Sequence, residues 1–404
     1  MQNLIHVMVV FGTRPEAIKM APVVLELKAN PRFKVTTVVT AQHREILDQV
    51  LDLFHIEPDV DLNTMKANQT LTGITVRVLQ GLEPVLLEKR PDIVLVQGDT
   101  STAFVAGLAA FYQKIPVGHI EAGLRTDKIY DPFPEEMNRR LLSRLAEMQF
   151  PPTKWAYNNL AQEGLVFKDT YITGNTVADA LKLIVAGLPE GVPTNLQSVA
   201  PWGEEASTSK VDPLEFMANS GKRMVLVETH RRENLGQPMA QICRALRRLT
   251  EKFDDIELVF SVHPNPKVRE VVCPALQGLP RVHLLEPMPY TNLLRLMRSA
   301  YFIMTDSGGI QEEAPSLGVP VVVLRETTER PEGIESGNAV LAGCDEDKVF
   351  ALAADILEHN DVHECMAKTS SPYGDGLASQ RIAEAILHKF YPSEFAAPEP
   401  FAVK

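Results

Sequence analysis

The stretch Ile5-His6-Val7-Met8-Val9-Val10-Phe11-Gly12-Thr13-Arg14-Pro15-Glu16 decides the fold class. Its first seven residues are apolar at nearly every position, the pattern of a strand covered on both faces. Gly12 permits a tight turn directly after the strand, and Pro15 suits the first position of a helix. The helical pattern then runs from about Pro15 to Ala29. A strand that passes through a glycine turn into a helix is the opening unit of a doubly wound α/β sheet.

The alternation continues outward from this stretch. Lys34–Thr40, Asp92–Gln97 and Ile115–Ile120 read as strands. Arg44–Phe54, Leu71–Lys89, Thr100–Tyr112, Glu135–Leu145 and Lys154–Glu163 read as helices. Such alternation implies parallel strands joined by right-handed crossovers. The rhythm breaks across 187–221, where Pro189, Pro193, Pro201 and Pro213 lie among polar and acidic residues, so this segment reads as a linker or surface excursion. Strands then resume at Arg223–Glu228, Ile256–Val262, Val282–Leu285, Tyr301–Thr305 and Val319–Leu324. Helices Pro238–Lys252, Val268–Leu276, Leu293–Ser299 and Gly309–Leu317 separate them, and Leu377–Phe390 is a long amphipathic helix expected to pack back on the first half. The expected architecture is two Rossmann-like domains facing across a cleft. Residues 1–180 with 376–404 form one, and residues 181–375 form the other.

The chain has 404 residues, 45% hydrophobic and 23% charged, which is ordinary globular composition. A net charge of -12 and a pI near 5.4 argue against nucleic acid or an anionic membrane surface as partner. An acidic protein that binds an anion must concentrate positive charge locally. Cys243, Cys273, Cys344 and Cys365 show no C-x-x-C spacing, and scattered thiols fit a reducing compartment. No apolar run approaches the ~20 residues of a membrane span, and no basic leader precedes the first strand. The expected location is the cytoplasm.

In open α/β sheets ligands lie beyond the carboxyl ends of the strands, so the residues that follow each strand come next. After the first strand, Arg14 and Lys19 stand at the opening of a helix, where an anion is favoured, although a Gly turn with exposed bases is as often structural. The turn is not G-x-G-x-x-G, which argues against bound NAD. Asp99 follows the strand that ends at Gln97, either as a helix cap or as a site acid. Glu121 follows the next strand in His119-Ile120-Glu121-Ala122-Gly123-Leu124-Arg125. Glu135 and Glu136 open a helix after Pro132-Phe133-Pro134, and one of the two serves the helix dipole. Carboxylates crowded at one mouth raise each other's pKa, which suits proton transfer to and from carbon.

In the second half, His230 ends a strand in Glu228-Thr229-His230-Arg231-Arg232-Glu233-Asn234, and His263 ends the next in His263-Pro264-Asn265-Pro266. The most specific local signal is Thr305-Asp306-Ser307-Gly308-Gly309-Ile310-Gln311-Glu312-Glu313. Ser307, Gly308 and Gly309 let amides and a hydroxyl approach phosphate oxygens, and Glu313 is placed for ribose hydroxyls. Arg330, in the stretch after the following strand, can neutralise a phosphate. His359 and His363 are four apart on an expected exposed helix face; with no acid cluster beside them, no metal site is expected.

These motifs closely resemble those of the non-hydrolysing UDP-N-acetylglucosamine 2-epimerases, which have the glycosyltransferase-B-like arrangement of two Rossmann-like domains. The matching segments run in order from Phe11–Lys19 to Thr328–Glu332, through Gln97–Thr100, His119–Arg125, Pro134–Glu136, Thr229–Glu233, His263–Pro266 and Asp306–Glu313. The resemblance implies that UDP is eliminated across C1–C2 of the sugar, leaving 2-acetamidoglucal, and re-adds after a proton returns to the other face of C2. UDP-N-acetylmannosamine results, for use in polysaccharide biosynthesis, with no cofactor and no metal. It further implies acid/base roles for Asp99, Glu121 and Glu135, and a place for His230 at the leaving diphosphate. Arg14, Lys19, His263, Ser307, Gly308, Gly309, Glu313 and Arg330 fall in the substrate-binding set. Many bacterial members bind a second, activating UDP-N-acetylglucosamine. The positions for it here are Gln42, His43, Gln69, Arg231 and His263, with Asn68 where the family has Arg. The family also implies a homodimer.

Other readings share the fold: a hydrolysing epimerase, a 2-epimerase for a modified UDP-sugar, a glycosyltransferase, or a non-catalytic nucleotide-sugar sensor. Neither acceptor transfer nor sensing requires the three acids Asp99, Glu121 and Glu135.

Overall fold

The computed structural model describes residues 4–40, 44–64, 69–126, 128–130, 132–193, 196–200 and 221–403, with backbone alone at 44–46. The chain forms two compact units, Met1–Leu183 with Tyr373–Lys404, and Ile184–Pro372.

In the first unit, β1 (Ile5–Phe11), β2 (Phe33–Val39), β3 (Val60–Asp61), β4 (Ile93–Gln97), β5 (Val117–Ile120) and β6 (Met148–Phe150) form one sheet. Their order is β3-β2-β1-β4-β5-β6 and every pairing is parallel. This is the doubly wound order, with its reversal between β1 and β4. All seven residues of β1 are buried, as its unbroken apolar run requires. Helices α1 (Arg14–Ala29), α2 (Arg44–Leu53), α3 (Leu71–Lys89), α4 (Ser101–Tyr112), α5 (Glu135–Leu145), α6 (Lys154–Gln162) and α7 (Thr176–Gly187) alternate with the strands. Ile74, Val78, Leu82 and Leu86, at helical spacing on α3, join Met8, Val10, Val94 and Val96 in a single core. The helix Ala378–Phe390 packs against α1. Its first amides, Ala378 N and Ser379 N, are capped by Asp179 at 3.1 and 2.7 Å.

The second unit repeats the plan. β7 (Arg223–Thr229), β8 (Ile256–Val262), β9 (Val282–Leu285), β10 (Phe302–Thr305), β11 (Val321–Val323) and β12 (Ala339–Leu341) lie in the order β12-β11-β10-β7-β8-β9, again all parallel. Its core joins Val225, Val227, Leu258 and Phe260 to Ile242, Leu246 and Leu249 of the helix Gln237–Lys252. Among the described residues no helix is long and apolar enough to cross a membrane.

Three differences from the sequence reading have simple causes. The strands β3, β6 and β12, each of two or three residues, are too short to show a period. Within 187–221, the described residues 196–200 are not a free linker. Val199 N donates to Leu284 O at 2.9 Å and Glu286 N to Gln197 O at 2.8 Å, so this piece covers the outer edge of β9. The two histidines do not share one exposed helix face. His359 lies between the helices Glu346–Glu358 and Asn360–Lys368, and His363 is stacked on Tyr301 at 3.7 Å.

The β1–α1 turn needs its glycine for space. A Cβ on Gly12 would stand 2.0 Å from Thr40 Oγ1 and 2.8 Å from Thr102 Oγ1, both buried. We expect Gly12→Ala to cost about 1–3 kcal/mol, the usual range for overpacking. Gly187→Ala, where a Cβ meets nothing within 4 Å, should change stability by less than about 0.5 kcal/mol. Thermal melts of the two variants check this, and equal melting temperatures would contradict it.

Candidate active site

The first unit gathers its acids because β4 and β5 are neighbours in register, with Gln97 opposite Ile120. The residues just beyond them, Asp99 and Glu121, therefore emerge side by side; a Cβ on Gly98 would lie 3.8 Å from Glu121 Oε1. Glu121 is 8% exposed and holds a left-handed backbone, φ +64°, which for a non-glycine residue costs on the order of 1 kcal/mol. Its amide and that of Ala122 both donate to Phe150 O. Lys19 Nζ and Asn175 Nδ2, the latter at 2.8 Å, both donate to Glu121 Oε2. Asp99 is held from α5, with Arg139 Nη2 on Oδ2 at 2.5 Å and Asn138 Nδ2 on its carbonyl at 2.9 Å.

Of the two acids that open α5, Glu136 is the structural one. It is fully buried and bound by Arg140 Nε at 2.6 Å, Thr126 N at 3.0 Å and Arg139 Nη1 at 3.3 Å. Glu135, half-buried, occupies the first position of the helix. The crowding of carboxylates expected from sequence is thus offset, since Glu121 has Lys19 and Asp99 has Arg139. Beneath them His119 is held neutral: burial pushes its pKa down to about 3, and Nε2 lies 2.8 Å from Gly98 O.

The start of α1 is filled from within. Glu16 Oε2 accepts the amides of Gly12 and Thr13 at 3.1 and 2.8 Å, and Oε1 accepts the Thr100 hydroxyl at 2.6 Å. Arg14 is half-buried beside this turn. Lys19, expected to face an anion, meets the Glu121 carboxylate.

In the second unit the hub is Asp306, a fully buried carboxylate at the end of β10. It accepts the His230 amide at 3.0 Å, the Arg231 amide at 3.1 Å and Asn234 Nδ2 at 2.8 Å. Burial pushes its pKa up. His230 Nδ1 lies 3.0 Å from Glu228 Oε1, and this bond raises the His230 pKa above 6.5. The ring of His263 is stacked 6.0 Å away, its own pKa lowered first by burial and then by His230.

Beyond β10 the helix Gly308–Ser316 begins at Ser307, which makes no side-chain capping bond. A Cβ on Gly308 would meet Glu329 Oε1 at 3.3 Å, Arg330 Cζ at 3.6 Å and Arg231 Nη2 at 3.7 Å, so glycine here leaves room for two guanidinium groups. A Cβ on Gly309 would lie 3.8 Å from Ser307 Oγ and 3.9 Å from Glu313 Oε1. Arg330 is set by Glu312 at 2.7 Å, and Arg325 by Glu329 at 2.6 Å and Glu233 at 2.9 Å. Burial alone would raise the Glu329 pKa. Arg330, Arg325 and Arg231 outweigh that and hold it at about 2.

A sequence profile described as UDP-N-acetylglucosamine 2-epimerase matches residues 25–387. The UDP-N-acetylglucosamine 2-epimerase of Bacillus subtilis (strain 168) is 48% identical over 402 residues, 99% of each chain. The chain belongs to the UDP-N-acetylglucosamine 2-epimerase family. The crystal structure of the Neisseria meningitidis UDP-GlcNAc 2-epimerase bound to UDP-GlcNAc is 44% identical, with a TM-score of 0.83 across 95% of this chain and 100% of that one. The Streptomyces nogalater glycosyltransferase SnogD, 14% identical with a TM-score of 0.54, over 95% of this chain and 100% of that one, shares the fold alone.

For this epimerase-family chain, the structure brings together Asp99, Glu121 and Lys19 in one unit. In the other it gathers His230, His263, Arg231, Gly308 and Arg330. Of the positions named for a second ligand, Gln42, His43 and Asn68 lie outside the described residues, and Gln69 Oε1 accepts from Arg77 Nη2 at 2.6 Å. Sequence reasoning did not single out Asn175, Arg139, Glu228, Asp306, Arg325 or Glu329. Glu228 and Asp306 stand in stretches quoted for their neighbours, and Arg325 and Glu329 in the stretch that carries Arg330, whereas Asn175 and Arg139 carried no local signal.

Glu329 also sets a pH dependence. Its folded pKa lies below the ordinary 4.5, so its stabilisation is present above that pH and is lost as pH falls toward about 2. We expect Glu329→Gln to destabilise the epimerase-family fold by on the order of 3 kcal/mol at pH 7. In urea denaturation this gap should narrow steadily below pH 4.5. A gap that stays constant to pH 3 would contradict the assignment.

Proposed function

We propose that the protein interconverts UDP-N-acetylglucosamine and UDP-N-acetylmannosamine by eliminating UDP and adding it back. A carboxylate among Glu121, Asp99 and Glu135 takes the C2 proton. The C–H electron pair becomes the C1–C2 double bond, and the C1–O bond breaks with its pair passing to the β-phosphate oxygen. 2-Acetamidoglucal and UDP result. Return of a proton to the opposite face of C2, with re-addition of the phosphate oxygen at C1, gives the epimer.

The observation that carries this reading is Glu121. A buried carboxylate held in strained backbone at a strand end, with a lysine and an amide on one oxygen, is costly to maintain for structure alone. His230, Arg231, Arg330 and the Ser307-Gly308-Gly309 turn would stabilise charge that builds on the departing UDP. The same proposal includes a cytoplasmic homodimer that uses no metal and no nicotinamide.

The test is turnover in D2O. UDP-N-acetylmannosamine should form from UDP-N-acetylglucosamine with deuterium at C2 and with no acceptor added. Neither exchange nor epimer would remove the reading. Glu121→Gln should lower the exchange rate by about 10²–10⁴-fold, the range for a general acid or base, while UDP affinity stays within about threefold. Equal loss of both would make Glu121 a ligand contact instead.

A further inference from the structure

One contact of the second unit plays no part in the chemistry proposed for His230. The carboxylate of Glu228, the penultimate residue of β7, lies against the His230 ring, with Oε1 3.0 Å from Nδ1. A carboxylate only accepts, so the ring proton sits on Nδ1 and Nε2 points away from Glu228. The other carboxylate oxygen accepts the Thr305 hydroxyl at 3.3 Å, and that hydroxyl oxygen accepts the Ser307 amide at 3.0 Å. One run of hydrogen bonds therefore joins the His230 ring to the turn that opens the helix Gly308–Ser316. The charged and titratable groups around the ring are Glu228 and Asp306 on the acidic side, and Arg231 and His263 on the other; Arg269 acts on His263.

We propose that Glu228 is the positioning residue of His230. It fixes Nδ1–H on its own carboxylate, presents Nε2 to the departing diphosphate, and favours the protonated ring. This rests on the epimerase reading for what His230 does, and on the observed contacts for how the ring is held. The physical case is that of a ligand oriented by an outer carboxylate: the ring stays in one tautomer and one pose, so no reorganisation is needed when charge appears beside it. Asp306 cannot take this role as well. Its oxygens already accept two amides and the Asn234 side chain, and Oδ1 stands 3.7 Å from Nδ1.

The experiment compares wild type with Glu228→Gln in the full chain, by the pH profile of kcat/KM for epimerisation and by the histidine ring ¹⁵N signals. Removing the negative charge should move the His230 titration and the basic limb of the profile down together by about one pH unit. The loss should then approach about tenfold on the basic side of both titrations and vanish on the acidic side. Wild type should show a neutral form protonated on Nδ1 and a titration above 6.5. A wild-type ring protonated on Nε2 would overturn the proposal whatever the variant does. So would a variant whose activity falls equally at all pH values with the ring titration unmoved, since that is a structural effect only. A wild type that titrates as expected but forms no epimer overturns the functional reading, and with it the catalytic sense of Glu228.

Discussion

Parallel strands deliver all their carboxyl ends to one edge of a sheet, and the amides of the turns there must find acceptors or remain costly orphans. Each unit solves this with one buried carboxylate at the point where strand order reverses. In the first, Glu16 takes the two amides that follow β1 and, through Thr100, reaches the turn after β4. In the second, Asp306 at the end of β10 takes the two amides that follow β7. β1 with β4, and β7 with β10, are the corresponding central pairs of the two sheets. Burial pushes both carboxyl groups up in pKa; hydrogen bonds oppose it at Glu16, and the His230 charge and the backbone amides oppose it at Asp306.

The two solutions leave different chemistry behind. Glu16 occupies the start of α1 with a negative side chain, so that helix terminus is already answered, and Lys19 one turn on is drawn to Glu121. The first unit thereby becomes a place of acids matched to cations. In the second, the acid sits below the turn instead of in it. Ser307 makes no capping bond, and the space over Gly308 is bounded by Arg330 and Arg231. That arrangement favours an anion.

Much of this was legible in the chain. The unbroken apolar run of β1 and the glycine turn after it announce a parallel sheet, and the strand ends point to Asp99, Glu121 and His230 without any coordinates. What escaped were partners that only pairing in space defines. Asn175 and Arg139 lie 54 and 40 residues from the acids they bind, and no local period marks them. Edge strands of two or three residues leave no alternation to read. The Lys19–Glu121 contact escaped for a related reason, because a helix opening predicts attraction for anions but not which carboxylate of the fold lies in reach.

Net charge is the remaining puzzle, since a chain at -12 is proposed to hold a diphosphate. The answer lies in how buried charges are arranged. Around Gly308, the three guanidinium groups of Arg231, Arg325 and Arg330 are interleaved with the carboxylates of Glu329, Glu312 and Glu233. Those carboxylates do more than cancel charge. Bound to Arg325 and Arg330 at 2.6–2.9 Å, they fix where the guanidinium planes lie, so the positive potential is set before any ligand arrives. Screening leaves surface acids farther away than a Debye length of about 8 Å with little influence, whereas buried pairs are screened much less. Local geometry at the strand ends therefore decides the sign of the potential an anion meets, and the overall charge does not.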